Sequence, residues 1–228
     1  MSTFVLLHGA YQGGWIWQPV VRRLEQLGHI VYAPSLDGCG ERSSHIRPGI
    51  TVESHANEVA QLMFYEDLHD ATLVGTSTGG MVLARAAELA KPRVGRVVFA
   101  DALALMDGEA LPDIVQRPTA VDTEIDTGPP REDVENRLFA ELDPQMKAWA
   151  VARYTMHPIS VMRDPVELAS FWNSQWEAKV IWCKRSANPP EAHQRRAAQA
   201  LNAKWYELDT GHYPMLSEPD ALIKMILD

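Results

Sequence analysis

The segment Ala71–Leu89 limits the fold of this chain more sharply than any other stretch. Ala71-Thr72-Leu73-Val74 is a short apolar run of strand type, and Met81–Leu89 is an Ala- and Leu-rich run of helix type. Between them lies Gly75-Thr76-Ser77-Thr78-Gly79, a G-x-S-x-G motif. A strand that passes so abruptly into a helix puts Ser77 at the apex of a tight elbow. Its hydroxyl then projects above the sheet, and the free N–H groups of the helix N-terminus face any negative charge that develops there. Gly75 and Gly79 have a steric task, since side chains there would collide where strand and helix close on each other. Alone, the motif is weak and occurs by accident; the strand–elbow–helix context gives it weight.

The rest of the chain repeats the strand–helix rhythm. Thr3–Leu7, Ile30–Ala33, the elbow strand, Arg96–Ala100, Lys179–Cys183 and Lys204–Leu208 have strand character. Ile16–Leu27, Glu53–Tyr65 with Thr51 as its cap, and Ala221–Leu227 have helix character. Alternation of this kind predicts an α/β fold with a mostly parallel sheet of about six strands and helices on both faces. A chain of 228 residues suits one domain with a full core. Between about 105 and 175 the rhythm breaks. A Pro-, Gly- and acid-rich stretch (Asp122 to Glu132) precedes helical patterning over Val134–Leu142 and Pro144–Tyr154. We therefore expect a core of residues 1–104 and 177–228, with 105–176 inserted as a helical cap over the functional face.

Two further segments complete a chemistry around Ser77. Phe4-Val5-Leu6-Leu7-His8-Gly9-Ala10 is an apolar strand ending in His-Gly, followed by Tyr11-Gln12-Gly13-Gly14-Trp15. A tetrahedral intermediate of acyl transfer carries an oxyanion that two backbone N–H groups must hold, here those of Thr78 and Ala10. His8 precedes this loop and is expected to hold it through its ring nitrogens. Near the C-terminus Asp209-Thr210-Gly211-His212 leaves the last strand, so a histidine follows Ser77 on the final strand–helix loop, one of the chain orders in which a nucleophilic serine and its base occur.

The chain resembles the α/β-hydrolase superfamily, and within it the branch of plant methyl-ester esterases, hydroxynitrile lyases and bacterial pyrethroid-hydrolase-like carboxylesterases. The carrying residues are Phe4–Trp15, Leu36-Asp37-Gly38-Cys39-Gly40-Glu41-Arg42, the serine elbow and Thr210-Gly211-His212. The likeness covers almost the whole chain and is weakest between about 105 and 180. It implies a serine hydrolase in which Ser77 is the nucleophile and His212 the base, with a carboxylate to orient the imidazole. In the resembled family that acid follows the next-to-last strand, at the position occupied here by Ser186, and serine offers no charge. Three replacements are open: Asp101 at the end of the strand Arg96–Ala100, Glu191 beyond two prolines, and Asp209 three residues before His212. Asp101 is favoured, because some lipases of the superfamily carry their acid at that strand; the alternative is that it only caps a strand end. Hydroxynitrile lyases of this branch usually place a lysine after the histidine, where this chain has Tyr213. A non-hydrolytic cyclase or lactone-forming enzyme, or a ligand receptor, are the other readings.

The expected partner is a small-molecule ester or lactone with an apolar or aromatic body. Tyr11, Trp149 and Trp172 are candidate substrate contacts, with Trp176, Met146, Met156 and Met162 as further apolar lining. A net charge of −9 without a basic patch argues against nucleic acid and anionic membrane. No dinucleotide fingerprint follows a strand, no His/Cys/Asp/Glu spacing makes a metal site, and no cofactor is implied. Cys39 and Cys183 are read as reduced thiols, and the chain as a cytoplasmic protein without a leader or membrane span. The resembled branch is often dimeric, so a homodimer is also an expectation. His29, His45, His55 and His69 are placed on helix surfaces or loops.

Overall fold

A computed structural model describes residues 1–116 and 120–228; residues 117–119, inside the predicted insertion, lie outside the described residues. In chain order, β1 (Thr3–Leu7), α1 (Gln18–Gln26), β2 (Ile30–Tyr32), α2 (Val52–Tyr65), β3 (Ala71–Ser77), α3 (Gly79–Leu89) and β4 (Val94–Ala102) make the first half. The insertion holds α4 (Leu111–Ile114), β5 (Val121–Asp122), β6 (Asp126–Gly128), α5 (Arg131–Asp133), α6 (Pro144–Val151), β7 (His157–Pro158) and α7 (Ile159–Arg163). The chain closes with β8 (Glu177–Cys183), α8 (Glu191–Ala200), β9 (Lys204–Leu208), α9 (Pro214–Ser217) and α10 (Pro219–Leu227).

The main sheet has six strands in the order β2-β1-β3-β4-β8-β9, all parallel. Its two faces follow from the period of two along each strand. On β1 and β4, Val5, Leu7, Val97 and Phe99 enter one core with α2 and α3, while Phe4, Leu6, Val98 and Ala100 enter the other with α1 and α10. Both faces are covered, which is why these strands read as continuous apolar runs rather than alternating ones. One cation interrupts the pattern. Lys179 on β8 is fully buried and donates to the Met225 and Ile226 carbonyls at 3.2 and 2.8 Å. Those carbonyls end α10, where the helix dipole favours a positive charge, while burial pulls the lysine pKa down. The predicted cap of α2 is present, with Thr51 and Ser54 exchanging side-chain to backbone bonds at 2.8 and 3.2 Å.

The insertion differs from the helical cap that was expected. It contains a three-stranded antiparallel sheet, β5-β6-β7, whose strands are two or three residues long. Strands so short carry no periodic signal, and this one is tied instead by polar turn bonds such as Thr123 N–H to Asp126 O at 2.8 Å. The helix expected over Val134–Leu142 is a wide π-type turn ending at Leu138, and Pro144–Tyr154 is helical only to Val151. The last part of the insertion belongs to the main core. Phe171 is buried, meets Phe99 edge-on at 6.2 Å and stacks on Trp176 at 5.5 Å. No helix among the described residues is long and apolar enough to cross a membrane.

The elbow is packed without slack. A Cβ on Gly79 would lie 2.4 Å from Leu7 O and 2.6 Å from His8 O, and one on Gly75 would lie 2.7 Å from Gly79 O. These are backbone contacts that cannot rotate away. Gly79→Ala should therefore cost at least about 3 kcal/mol of stability, read as a lower midpoint in urea unfolding; a wild-type midpoint would show that the elbow yields.

Candidate active site

The C-terminal ends of β1, β3, β4 and β8 deliver their following loops to one edge of the sheet, as ligand sites in open α/β sheets require. Ser77 ends β3 with a φ of 50°, in the left-handed region. Asp101 near the end of β4 and Tyr11 after β1 share that conformation, at 49° and 68°. A left-handed backbone at a non-glycine residue is uncommon, and three of the six such residues among those described lie at this edge. Gly9 closes against the elbow, since a Cβ there would sit 2.5 Å from Ser77 Cβ.

Behind the serine, the loop after β1 is tied by polar contacts. The His8 ring sits between two backbone groups: Nδ1–H donates to Gly9 O at 2.8 Å, and Nε2 accepts from Leu36 N at 3.1 Å. Burial holds His8 neutral, with its pKa pulled down to about 4. Gln12 accepts the Gly9 N–H at 3.2 Å, and Ser35 Oγ accepts that of Gly14 at 2.7 Å. His8 thus holds the loop, as its place in the sequence suggests.

His212 meets Asp101. The Nδ1 atom lies 2.7 Å from Asp101 Oδ2, and the carboxylate is fully buried. Its other oxygen, Oδ1, accepts from Gln194 Nε2 at 2.7 Å and from Cys183 N at 3.3 Å. Gln194 is itself fixed by a second donation to Pro189 O at 3.0 Å. Ser186, at the position where the resembled family carries its acid, also reaches the ring: its Oγ is 3.4 Å from His212 Nδ1 and donates to Asn188 O at 3.0 Å. The two other carboxylates are engaged elsewhere. Glu191 pairs with Arg195 at 2.6 Å along α8, and exposed Asp209 faces Arg185 at 3.7 Å. No hydrogen bond joins Ser77 Oγ to His212 here, a contact that in such sites commonly tightens only with substrate.

Ser77, Thr78, Ala10, Tyr11 and His212 line one cleft of about 400 Å³. Its apolar wall comes from Leu103, Leu111, Val115, Leu138, Met162 and Tyr213, and its charged rim from Arg137, Glu141 and Arg185. Two expected substrate contacts stand apart from this wall. Trp149 lies outside the cleft wall, meeting Trp15 edge-on at 5.2 Å with the Arg153 guanidinium 4.3 Å over its ring. Trp172 also lies outside it: its indole donates to Leu105 O at 3.0 Å and its ring meets Phe171 at 5.2 Å in the main core. Trp176, Met146 and Met156 are absent from the wall, and Met162 alone of that group is present. Gln194, which holds Asp101 from behind the cleft, and Arg137 and Glu141 on its rim were not legible as site residues, because tertiary placement that no local spacing announces brings each of them there.

Residues 4–225 match the alpha/beta hydrolase family, and the chain belongs to it. It is 36% identical to a carbendazim-hydrolysing esterase of Nocardioides sp. over 111 residues, which is 49% of this chain and 46% of that esterase. It is 27% identical to methylesterase 3 of Arabidopsis thaliana, covering 98% of this chain and 94% of that protein. A match to an Arabidopsis α-hydroxynitrile lyase is 33% identical over 119 residues. Among solved structures, an extracellular α/β-hydrolase from a Paenibacillus species superposes with a TM-score of 0.84 at 20% identity, covering 100% of this chain and 98% of that one. A pyrethroid hydrolase superposes at 0.80, also 20% identical. The named relatives, an esterase, a methylesterase and a hydroxynitrile lyase, fall within the branch that the sequence motifs resemble.

Three buried histidines make the fold sensitive to acid. His55, expected on a helix surface, is instead buried with Nε2 donating to Asp37 O at 2.9 Å; His193 accepts from Ala104 N at 2.9 Å. Burial lowers both from 6.5 to about 4, as it does His8. The unfolded chain then takes up protons first as pH falls, so stability is complete above about 6.5 and is lost on the way down through about 4. Urea midpoints measured across that window should fall steadily; a flat profile would mean that these rings do not stay neutral.

Proposed function

We propose that this protein is a serine hydrolase that cleaves carboxylic esters or lactones of apolar small molecules through an acyl-enzyme. The observation that carries this reading is the 2.7 Å contact between Asp101 and His212 in a cleft whose wall also holds Ser77. In the proposed cycle Ser77 Oγ attacks the carbonyl while His212 Nε2 takes its proton. The oxyanion is held by the N–H groups of Ala10 and Thr78, and the imidazolium by the Asp101 carboxylate. Collapse of the intermediate expels the alcohol, which receives the proton from His212. Water, activated by the same ring, then releases the acid and restores Ser77. The printed names of the relatives, an esterase and a methylesterase, support ester bonds as the target.

The lyase alternative is disfavoured by Tyr213, which stands where such enzymes usually carry lysine. Tyr213 is buried against Phe139 at a ring separation of 4.6 Å, and burial pushes its phenol well above the ordinary value. It therefore offers no cation. A serine at 186 lends weight to the non-hydrolytic reading, and the Asp101 contact counts against it by bringing a carboxylate to His212.

Ser77→Ala should lower p-nitrophenyl ester turnover by at least about 10³-fold while the fold is kept, because the other groups cannot supply the nucleophile. Activity within tenfold of wild type would sink the assignment. Asp101→Asn should reduce kcat by up to about 10⁴-fold, whereas Glu191→Gln and Asp209→Asn should stay within about tenfold. A larger loss from either of the latter pair would move the acid elsewhere.

A further inference from the structure

Among the described residues Glu141 is the one carboxylate in the wall of the cleft. It comes from the insertion, between the turn ending at Leu138 and α6, and it presses on the loop that carries His212. A Cβ built on Gly211 would lie 1.4 Å from Glu141 Oε2 and 1.8 Å from Oε1. The carboxylate thus fills the space any side chain at 211 would need, one residue before the histidine. Among the described residues no hydrogen bond or ion pair holds it. Among the described residues, the cleft's two other charged side chains each lie near an acid: Arg137 by Asp133 at 3.1 Å, and Arg185 by Asp209 at 3.7 Å. Among the described residues Glu141 has no such counter-ion, so the carboxylate it sets against the His212 loop is unpaired. Its field reaches inward: beneath the larger effect of burial it helps raise the Cys183 thiol, after Asp101, and the Tyr213 phenol, where the Arg137 charge opposes it.

From this geometry we infer that Glu141 is a specificity-determining residue: the cleft favours esters whose body carries a positive charge and disfavours those that carry a carboxylate. The inference rests on the ester-hydrolase reading and adds a substrate class to it. The physical basis is direct. A cationic group within several ångströms of an unpaired carboxylate gains Coulomb energy that a neutral isostere of the same shape does not, and a second carboxylate is repelled.

Isosteric pairs isolate the charge. A choline ester and the 3,3-dimethylbutyl ester of the same acid differ only in a quaternary nitrogen against a quaternary carbon. A betaine ester and the matching 3,3-dimethylbutanoate ester differ in the same way on the acyl side. The quantity read is the kcat/KM ratio of cation to neutral, compared between wild type and a variant, so intrinsic reactivity cancels. In Glu141→Gln, which keeps the shape, the ratio should fall about tenfold on at least one side. An unchanged ratio on both sides in Glu141→Gln would overturn the inference while leaving ester hydrolysis intact. Ketone analogues of the same pairs bind without being cleaved, and calorimetry gives their affinities. If wild type cleaves no neutral ester, the hydrolase reading fails. A Glu141-dependent preference of about tenfold for the cationic ketone would then still support the charge selection, and its absence would overturn it.

Discussion

The site depends on a carboxylate reaching the histidine from an unusual strand. Asp101 sits near the end of β4, beside the elbow strand in the sheet, and its left-handed φ of 49° turns the side chain toward the loop after β9. A buried carboxylate is costly unless its oxygens are satisfied. Here one oxygen takes His212 Nδ1, and the other takes the Gln194 amide and the Cys183 N–H. Gln194 on α8 and Cys183 on β8 therefore belong to the support of the acid as much as to the packing of the fold. Ser186, where the family's usual acid would stand, retains a contact with the same ring nitrogen and leaves room for the carboxylate to arrive from β4.

The same loop network fixes the other half of the site. His8 is buried and neutral, and it bonds the loop after β1 to Leu36 in the loop after β2. A protonated ring would lose the acceptor that Leu36 N needs. Loop position and histidine charge are thus linked, and acid stress should reach the site through the scaffold.

Much of this architecture is visible in the sequence because it follows local rules. The strands of β1, β3, β4, β8 and β9 are apolar runs bounded by turn residues, and the elbow has glycines where backbones nearly touch. Asp101 was legible as a candidate because it ends a strand next to the elbow; only the three-dimensional arrangement separates it from Glu191 and Asp209. The insertion was less legible. Its strands are too short for periodicity, and its aromatic residues pack by tertiary opportunity: Trp149 onto Trp15, Trp172 onto Phe171. Reading tryptophan in an insertion as substrate lining overlooked that large aromatic rings first serve packing. Glu141 gave no signal at all, since its meaning comes from a glycine 70 positions away in the chain.

The central claim is that Ser77 is an activated nucleophile, and covalent trapping tests it most directly. The folded protein is treated with a fluorophosphonate, digested, and its peptides mapped by mass spectrometry. The account predicts a stoichiometric adduct on Ser77 that is lost in Ser77→Ala and slowed in Asp101→Asn. Folded protein that takes up no reagent, or takes it up at a residue other than Ser77, would contradict it.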